Sequence, residues 1–210
     1  MKNSEYFAFL CAIFAVVCLS ISSTPAVSQS NEMTWHHERD LDVSFAYPQN
    51  WVATPPVEQR TRFTTNWLTK SGGLMATCYL RVSEGTNEVL ENDLKSHFEI
   101  IRDSFVEKTL KRVDSFEVRR AELSRIDGKD AIYIEADATI KSIGKETNMR
   151  IYTLLTYWKR HEIALECGSR VPLMDTSDLA DFDRGQYLKA IENVEAIIMR
   201  TLRTLHFERG

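Results

Sequence analysis

The chain has 210 residues, 43% of them hydrophobic and 27% charged, which supplies enough apolar material for one ordinary folded core. Its 30 acidic and 26 basic residues leave a net charge of −4, with both signs interspersed and no Lys/Arg block. That balance argues against a nucleic-acid partner, which would favour a basic face.

The first element is an export signal. A short start with Lys2 leads into an apolar run from Phe7 to Leu19, then a Ser-rich stretch ending Thr24-Pro25-Ala26-Val27-Ser28. A basic start, an apolar core of about a dozen residues and small residues at the end make a cleavable signal peptide. It spans residues 1–28, with cleavage after Ser28, and its removal takes one Lys and one Glu. A retained anchor is the rival reading, since Ile21 could lengthen the run. A spanning helix needs about 20 residues, and Pro25 with Ser22-Ser23-Thr24 would end it early. A lipid on Cys18 is a third reading, set against it by the bulk of Val17. The expected protein is therefore exported, periplasmic or extracellular, with no stable membrane span after cleavage.

Residues 29–42 form a polar lead-in carrying Trp35 and His36-His37. Val43, Phe45 and Tyr47 then alternate with Ser44 and Ala46, which predicts a strand that Pro48 stops. Pro55-Pro56 marks a loop, residues 62–69 a short strand and Ser71-Gly72-Gly73 a turn. Leu74, Ala76, Cys78, Leu80 and Val82 recur at spacing two, on one face of a strand. From Asn87 to about Lys108 the period changes: Leu90, Leu94, Phe98, Ile101 and Phe105 form one helical stripe, capped by Thr86 or Asn87.

A long strand over 113–126 switches its alternation between Val118 and Ala121, which predicts a bulge near Arg119-Arg120. Asp127-Gly128-Lys129 supplies a tight turn. The return strand places Ile132, Ile134, Ala136, Ala138 and Ile140 inward and Tyr133, Glu135, Asp137 and Thr139 outward. A turn at Gly144, a strand over 150–158, a turn at Lys159-Arg160-His161 and a strand through Ile163, Leu165 and Cys167 complete an antiparallel meander. After a polar loop over 170–183, Asp183 and Gln186 have capping-box spacing for a helix that presents Leu188, Ile191, Val194, Ile198 and Leu202. Leu205-His206-Phe207 reads as a last edge strand or a helix tail.

Asp42-Val43-Ser44-Phe45-Ala46-Tyr47-Pro48-Gln49-Asn50-Trp51 resembles the opening strand of PsbP-like domains, in which an alternating strand ends in Tyr-Pro and a Trp follows. The helix running into Thr204-Leu205-His206-Phe207 is similar to the way those domains finish. The resemblance spans residues 43–207. It implies an α+β, PsbP-like sandwich with an antiparallel sheet flanked by helices, and exported accessory or binding proteins with no shared catalytic apparatus. Its best-known members attach to photosystem II, and no residue here carries that partner over.

Specific chemistry is sparse. His36, His37 and His206 are the metal candidates, but adjacent histidines in a strand face opposite ways, so no metal site is expected. No Gly-x-Ser-x-Gly elbow or phosphate-cradling glycine loop occurs, and Asp175, Asp178, Asp181 and Asp183 lack calcium-loop spacing. No catalytic residue and no cofactor is expected. Cys11 and Cys18 leave with the signal, while Cys78 and Cys167 could form a disulfide or remain two buried thiols. Trp35, Trp51, Trp67 and Trp158, with Tyr47, Tyr152 and Tyr157, are candidate interface anchors or core rings.

These features favour a non-catalytic exported protein that binds another envelope protein through one sheet face or the loops at its end. Two alternatives stay open: an envelope immunity or stress protein, and an enzyme with a dispersed site such as His161 with Glu135 or Glu166.

Overall fold

The computed structural model describes residues 32–56, 58–69, 72–84, 93–142, 145–174 and 184–208. The expected signal peptide, the cap at Thr86 or Asn87 with Leu90, the turn at Gly144, the Asp175–Asp183 run and the Asp183 cap lie outside the described residues.

Seven strands form an antiparallel sheet: β3 (Val52–Thr54), β4 (Thr61–Leu68), β5 (Leu74–Glu84), β6 (Ser115–Ile126), β7 (Lys129–Ser142), β8 (Lys145–Trp158) and β9 (His161–Ser169), in the order β3-β4-β5-β9-β8-β7-β6. A second antiparallel sheet has the order β1-β2-β10, from β1 (Met33–Glu38), β2 (Val43–Pro48) and β10 (His206–Phe207). The helices are α1 (Phe98–Leu110) and α2 (Arg184–Arg203), and a 3₁₀ turn covers Val171–Leu173. The α+β class and the meander β6-β7-β8-β9 follow the sequence pattern, and the bulge sits between Val118 and Arg120 as its alternation requires.

Strand alternation gives the large sheet two apolar faces. On the first, Cys78, Leu80, Val82, Leu154, Ile163 and Leu165 meet α2 through Val194, Ile198 and Leu202, and the small sheet through Val43, Phe45 and Phe207. On the second, Ile132, Ile134, Leu155 and Ala164 meet Leu94 and α1 through Ile101 and Phe105. Each large side chain so buried contributes about 1.5–3 kcal/mol. Cys78 lies opposite Cys167 in the β5–β9 register and is bonded to it, which closes a loop with a sequence separation of 89. On the chain-entropy account such a cross-link is worth about 4–5 kcal/mol.

Several expectations change. Residues 33–38, read as part of a polar lead-in, are a strand because Thr34, His36 and Glu38 pair with Tyr47, Phe45 and Val43 and the His36 ring stacks on Phe63. β3 was hidden by the adjoining Pro55-Pro56 and by its length of three residues. The helix expected from Asn87 begins, among the described residues, at Phe98, with Asp93 accepting from the Ser96 N–H in the turn before it. Tyr133, expected outward, is buried because α2 and the small sheet cover that face too, while Ile140, expected inward, and Leu188, expected in the apolar stripe of α2, are exposed.

Candidate docking surface at the turn end of the sheet

One end of the large sheet is closed by the Asp127-Gly128 and Lys159-Arg160 turns, beside the β1–β2 turn at residues 39–42. Each two-residue turn places both of its residues at positive φ: Asp127 48° and Gly128 79°, Lys159 48° and Arg160 63°. Such pairs match the twist of the flanking strands and ordinarily use Asn-Gly or Asp-Gly. Asp127-Gly128 obeys that chemistry, whereas Lys159-Arg160 holds two β-carbon-bearing basic residues in a region costing about 1–2 kcal/mol each. Asp42, at φ 51°, is the fourth non-glycine residue of this kind, and among the described residues all four lie at this end.

Specific bonds hold the turns together. The Trp158 indole N–H donates to the Leu41 carbonyl at 2.9 Å, Lys159 pairs with Asp42, and the Glu208 N–H donates to the Asp42 carbonyl at 2.9 Å. The Asp127 carboxylate accepts from the Phe207 N–H at 3.0 Å and lies 2.9 Å from His206 Nδ1. Lys129 Nζ sits 3.8 Å from the Trp158 ring centre, with Phe207 at 5.4 Å on that ring. A hollow of about 180 Å³ opens here, lined by His37, Glu38, Arg39, Asp42, Val43 and Glu208. The arrangement is a braced, polar, mixed-charge surface that can present hydrogen-bonding groups to a partner.

No protein-family model and no curated protein sequence matches this chain. Comparison with solved structures does find matches. The PsbP protein (CyanoP) of the cyanobacterium Synechocystis sp. PCC 6803 superposes with a TM-score of 0.60 at 11% identity, over 90% of this chain and 99% of that one. The fold is PsbP-like. The Saccharomyces cerevisiae Ran-binding protein Mog1p is also similar, with a TM-score of 0.51 at 10% identity over 84% of this chain and 96% of its own.

Within this PsbP-like fold the candidate aromatic residues part company. Trp51 is buried, Trp67 and Trp158 are partly buried, and Trp35 is 52% exposed on β1, stacked on His37 at 6.2 Å. Trp158 is therefore a brace beneath the turns, and Trp35 is the ring available at the surface. Tyr152 lies in the core, where burial and Glu195 push its hydroxyl up to about 12, while Tyr47 packs on Phe63 and Tyr157 donates to Glu162 at 3.4 Å.

The histidines divide as their alternation requires. His37 and His206 flank Ser44 on the outer face of the small sheet, while His36 turns inward against Phe45 and Phe63, 3.8 Å from Glu38. Burial, with the nearby His37, holds His36 below the ordinary imidazole range. Among the described residues no three His, Cys, Asp or Glu side chains converge as metal ligands.

The dispersed catalytic set does not assemble. His161 and Glu166 lie five residues apart on β9, hence on opposite faces. Glu135 pairs with Tyr152, six residues along β8 from Trp158, which lies opposite His161, a gap of roughly 20 Å.

Sequence reasoning missed a polar row in the interior. Thr64, Tyr79, Glu166 and Thr153 pair in succession across β4, β5, β9 and β8, with Arg81 one step away on the same face. The Glu166 carboxylate stands 3.7 Å from Arg81 and 3.8 Å from Arg112, and Arg81 reaches Glu58 at 3.3 Å. A signal was present, since Leu80-Arg81-Val82 and Leu165-Glu166-Cys167 each place a charge inside an apolar run.

Proposed function

We propose that this chain is an exported, non-catalytic accessory protein that holds a partner protein of the cell envelope at the turn end of its sheet. The observation that carries the reading is the gathering of Asp42, Asp127, Lys159 and Arg160, all in left-handed backbone, at one braced end of the fold. Lys159 and Arg160 bear the cost of that backbone, and conformations of such cost persist where the surroundings over-determine them and collect at binding and switch sites. The signal-like residues 1–28 supply the export half of the reading, and the oxidising compartment it implies suits the Cys78–Cys167 bond. A protein of similar fold, Mog1p, is a binding protein for Ran, which supports binding as a use of this architecture.

The test joins two measurements on native cells. N-terminal sequencing is expected to return Gln29 from protein outside the cytoplasm, and in-cell crosslinking followed by pull-down is expected to recover one reproducible envelope protein. A cytosolic chain that begins at Met1, or a pull-down with no reproducible partner, contradicts the proposal.

A further inference from the structure

The outermost strands of a sheet leave backbone N–H and C=O groups unpaired, and proteins blunt such edges with short strands, bulges, prolines or basic side chains. Among the described residues the two sheets end in β3, β6, β1 and β10. β3 has three residues and β10 has two. β6 is long, but its register slips between Val118 and Arg120, and Arg119, Arg120 and Arg125 stand along it. β1 is the least protected: its six residues keep unbroken register with β2 and include no Pro, Lys or Arg, and its one inward-pointing charge, Glu38, stands at its end.

The register fixes which groups β1 offers. The Gln49 N–H donates to the Glu32 carbonyl at 3.0 Å, so Thr34, His36 and Glu38, at intervals of two, aim their backbone groups at β2. Met33, Trp35 and His37 then aim theirs away from β2, toward the side on which no strand pairs with β1 among the described residues. Two neighbours agree with this phase. Pro48, without an N–H, lies opposite Met33, and Ala46, opposite Trp35, directs its N–H to the Thr204 hydroxyl at 2.7 Å instead of to β1.

Side chains and charge add selectivity. Met33, Trp35 and His37 share the outer face, where the Trp35–His37 stack forms an aromatic shelf beside the edge. At its 39–42 end Asp42 is paired with Lys159, and Glu38, Asp40 and Glu208, 3.6 Å from His37, outnumber Arg39 and leave that end negative.

We propose that β1 receives an extended, basic peptide segment of a partner protein, which adds a strand to the small sheet through the main-chain groups of Met33, Trp35 and His37 and rests a side chain on Trp35. The proposal rests on the binding role above and names how the partner is held.

The test uses the exported protein labelled with ¹⁵N and a synthetic nine-residue peptide of alternating Lys and Val. Controls are its Glu counterpart and two versions N-methylated on alternate residues, each version blocking one edge of the peptide. The Lys peptide is expected to shift the amide signals of Met33, Trp35 and His37 and to bind about tenfold more tightly than the Glu peptide at low salt. One N-methylated version is expected to lose about tenfold in affinity, and the other to bind as the parent does.

Equal binding of both N-methylated versions, shifts confined to other residues, or no shift at millimolar peptide overturns the proposal. So does light scattering that shows a dimer whose contact protects these three amides, since a second copy would then be the occupant. An envelope partner crosslinked through residues remote from β1 leaves the binding role standing and removes the edge, whereas loss of both partner and peptide binding removes both.

Discussion

Glu166 lies in the middle of β9 with 6% of its side chain exposed, and the guanidiniums of Arg81 and Arg112 stand just beyond hydrogen-bond distance. Burial pushes its carboxyl above the usual carboxylate range; Arg81 opposes this and Glu58 reinforces it. The folded state therefore holds the Glu166 proton more tightly than the unfolded chain does. Its contribution to stability is complete below the ordinary glutamate value of about 4.3 and is lost as pH rises through the raised value. Gln mimics the protonated form, so Glu166→Gln is expected to remove this dependence and to leave stability at neutral pH equal to or above that of the parent. Chemical denaturation from pH 4 to 8 measures it. A loss of about 3–5 kcal/mol at pH 7 would instead show that Arg81 and Arg112 depend on the charge. Alternation alone could place Glu166 on the opposite face from Cys167, but the row with Thr64, Tyr79 and Thr153 needs the strand order β4-β5-β9-β8, which no local pattern encodes.

At the scale of elements, the hairpins carry both the legible and the hidden parts of the fold. The Asp127-Gly128 turn and the β6 bulge were readable because the residues that tolerate those geometries occupy them. Lys159-Arg160 is readable as a turn but not as a left-handed one, since neither residue prefers that backbone and the bracing through Trp158 and Asp42 comes from distant segments. β1 was missed for a related reason: its inward residues Thr34, His36 and Glu38 are polar, and they become strand residues by pairing with β2. Replacing Arg160 by glycine removes a β-carbon from left-handed backbone. Arg160→Gly is thus expected to stabilise the protein by about 1 kcal/mol, a rise in Tm of roughly 2–4 °C, while weakening partner binding. Calorimetry with a crosslinking yield measures both effects. A fall in Tm would show that the arginine side chain contributes more than its backbone costs.

For the whole molecule, sequence similarity finds no match, yet the PsbP-like arrangement is shared with chains about one-tenth identical. Binary patterning accounts for that, because alternating strands and two amphipathic stripes specify the layers while leaving surface residues free. The candidate site was legible in part. Trp35, His37, His206 and Trp158 could be singled out by type, but their division into outer ring, outer face and partly buried brace depends on the register of β1, β2 and β10 and of β8 with β9. The central claim, that a partner docks at the turn end, is tested most directly by placing a photocrosslinking amino acid at single positions in living cells. Position 160 or position 37 is expected to give a discrete adduct with one envelope protein, and exposed positions 100 and 188 on the helices are expected to give none. Adducts from the helix positions alone, or from no position, would contradict it.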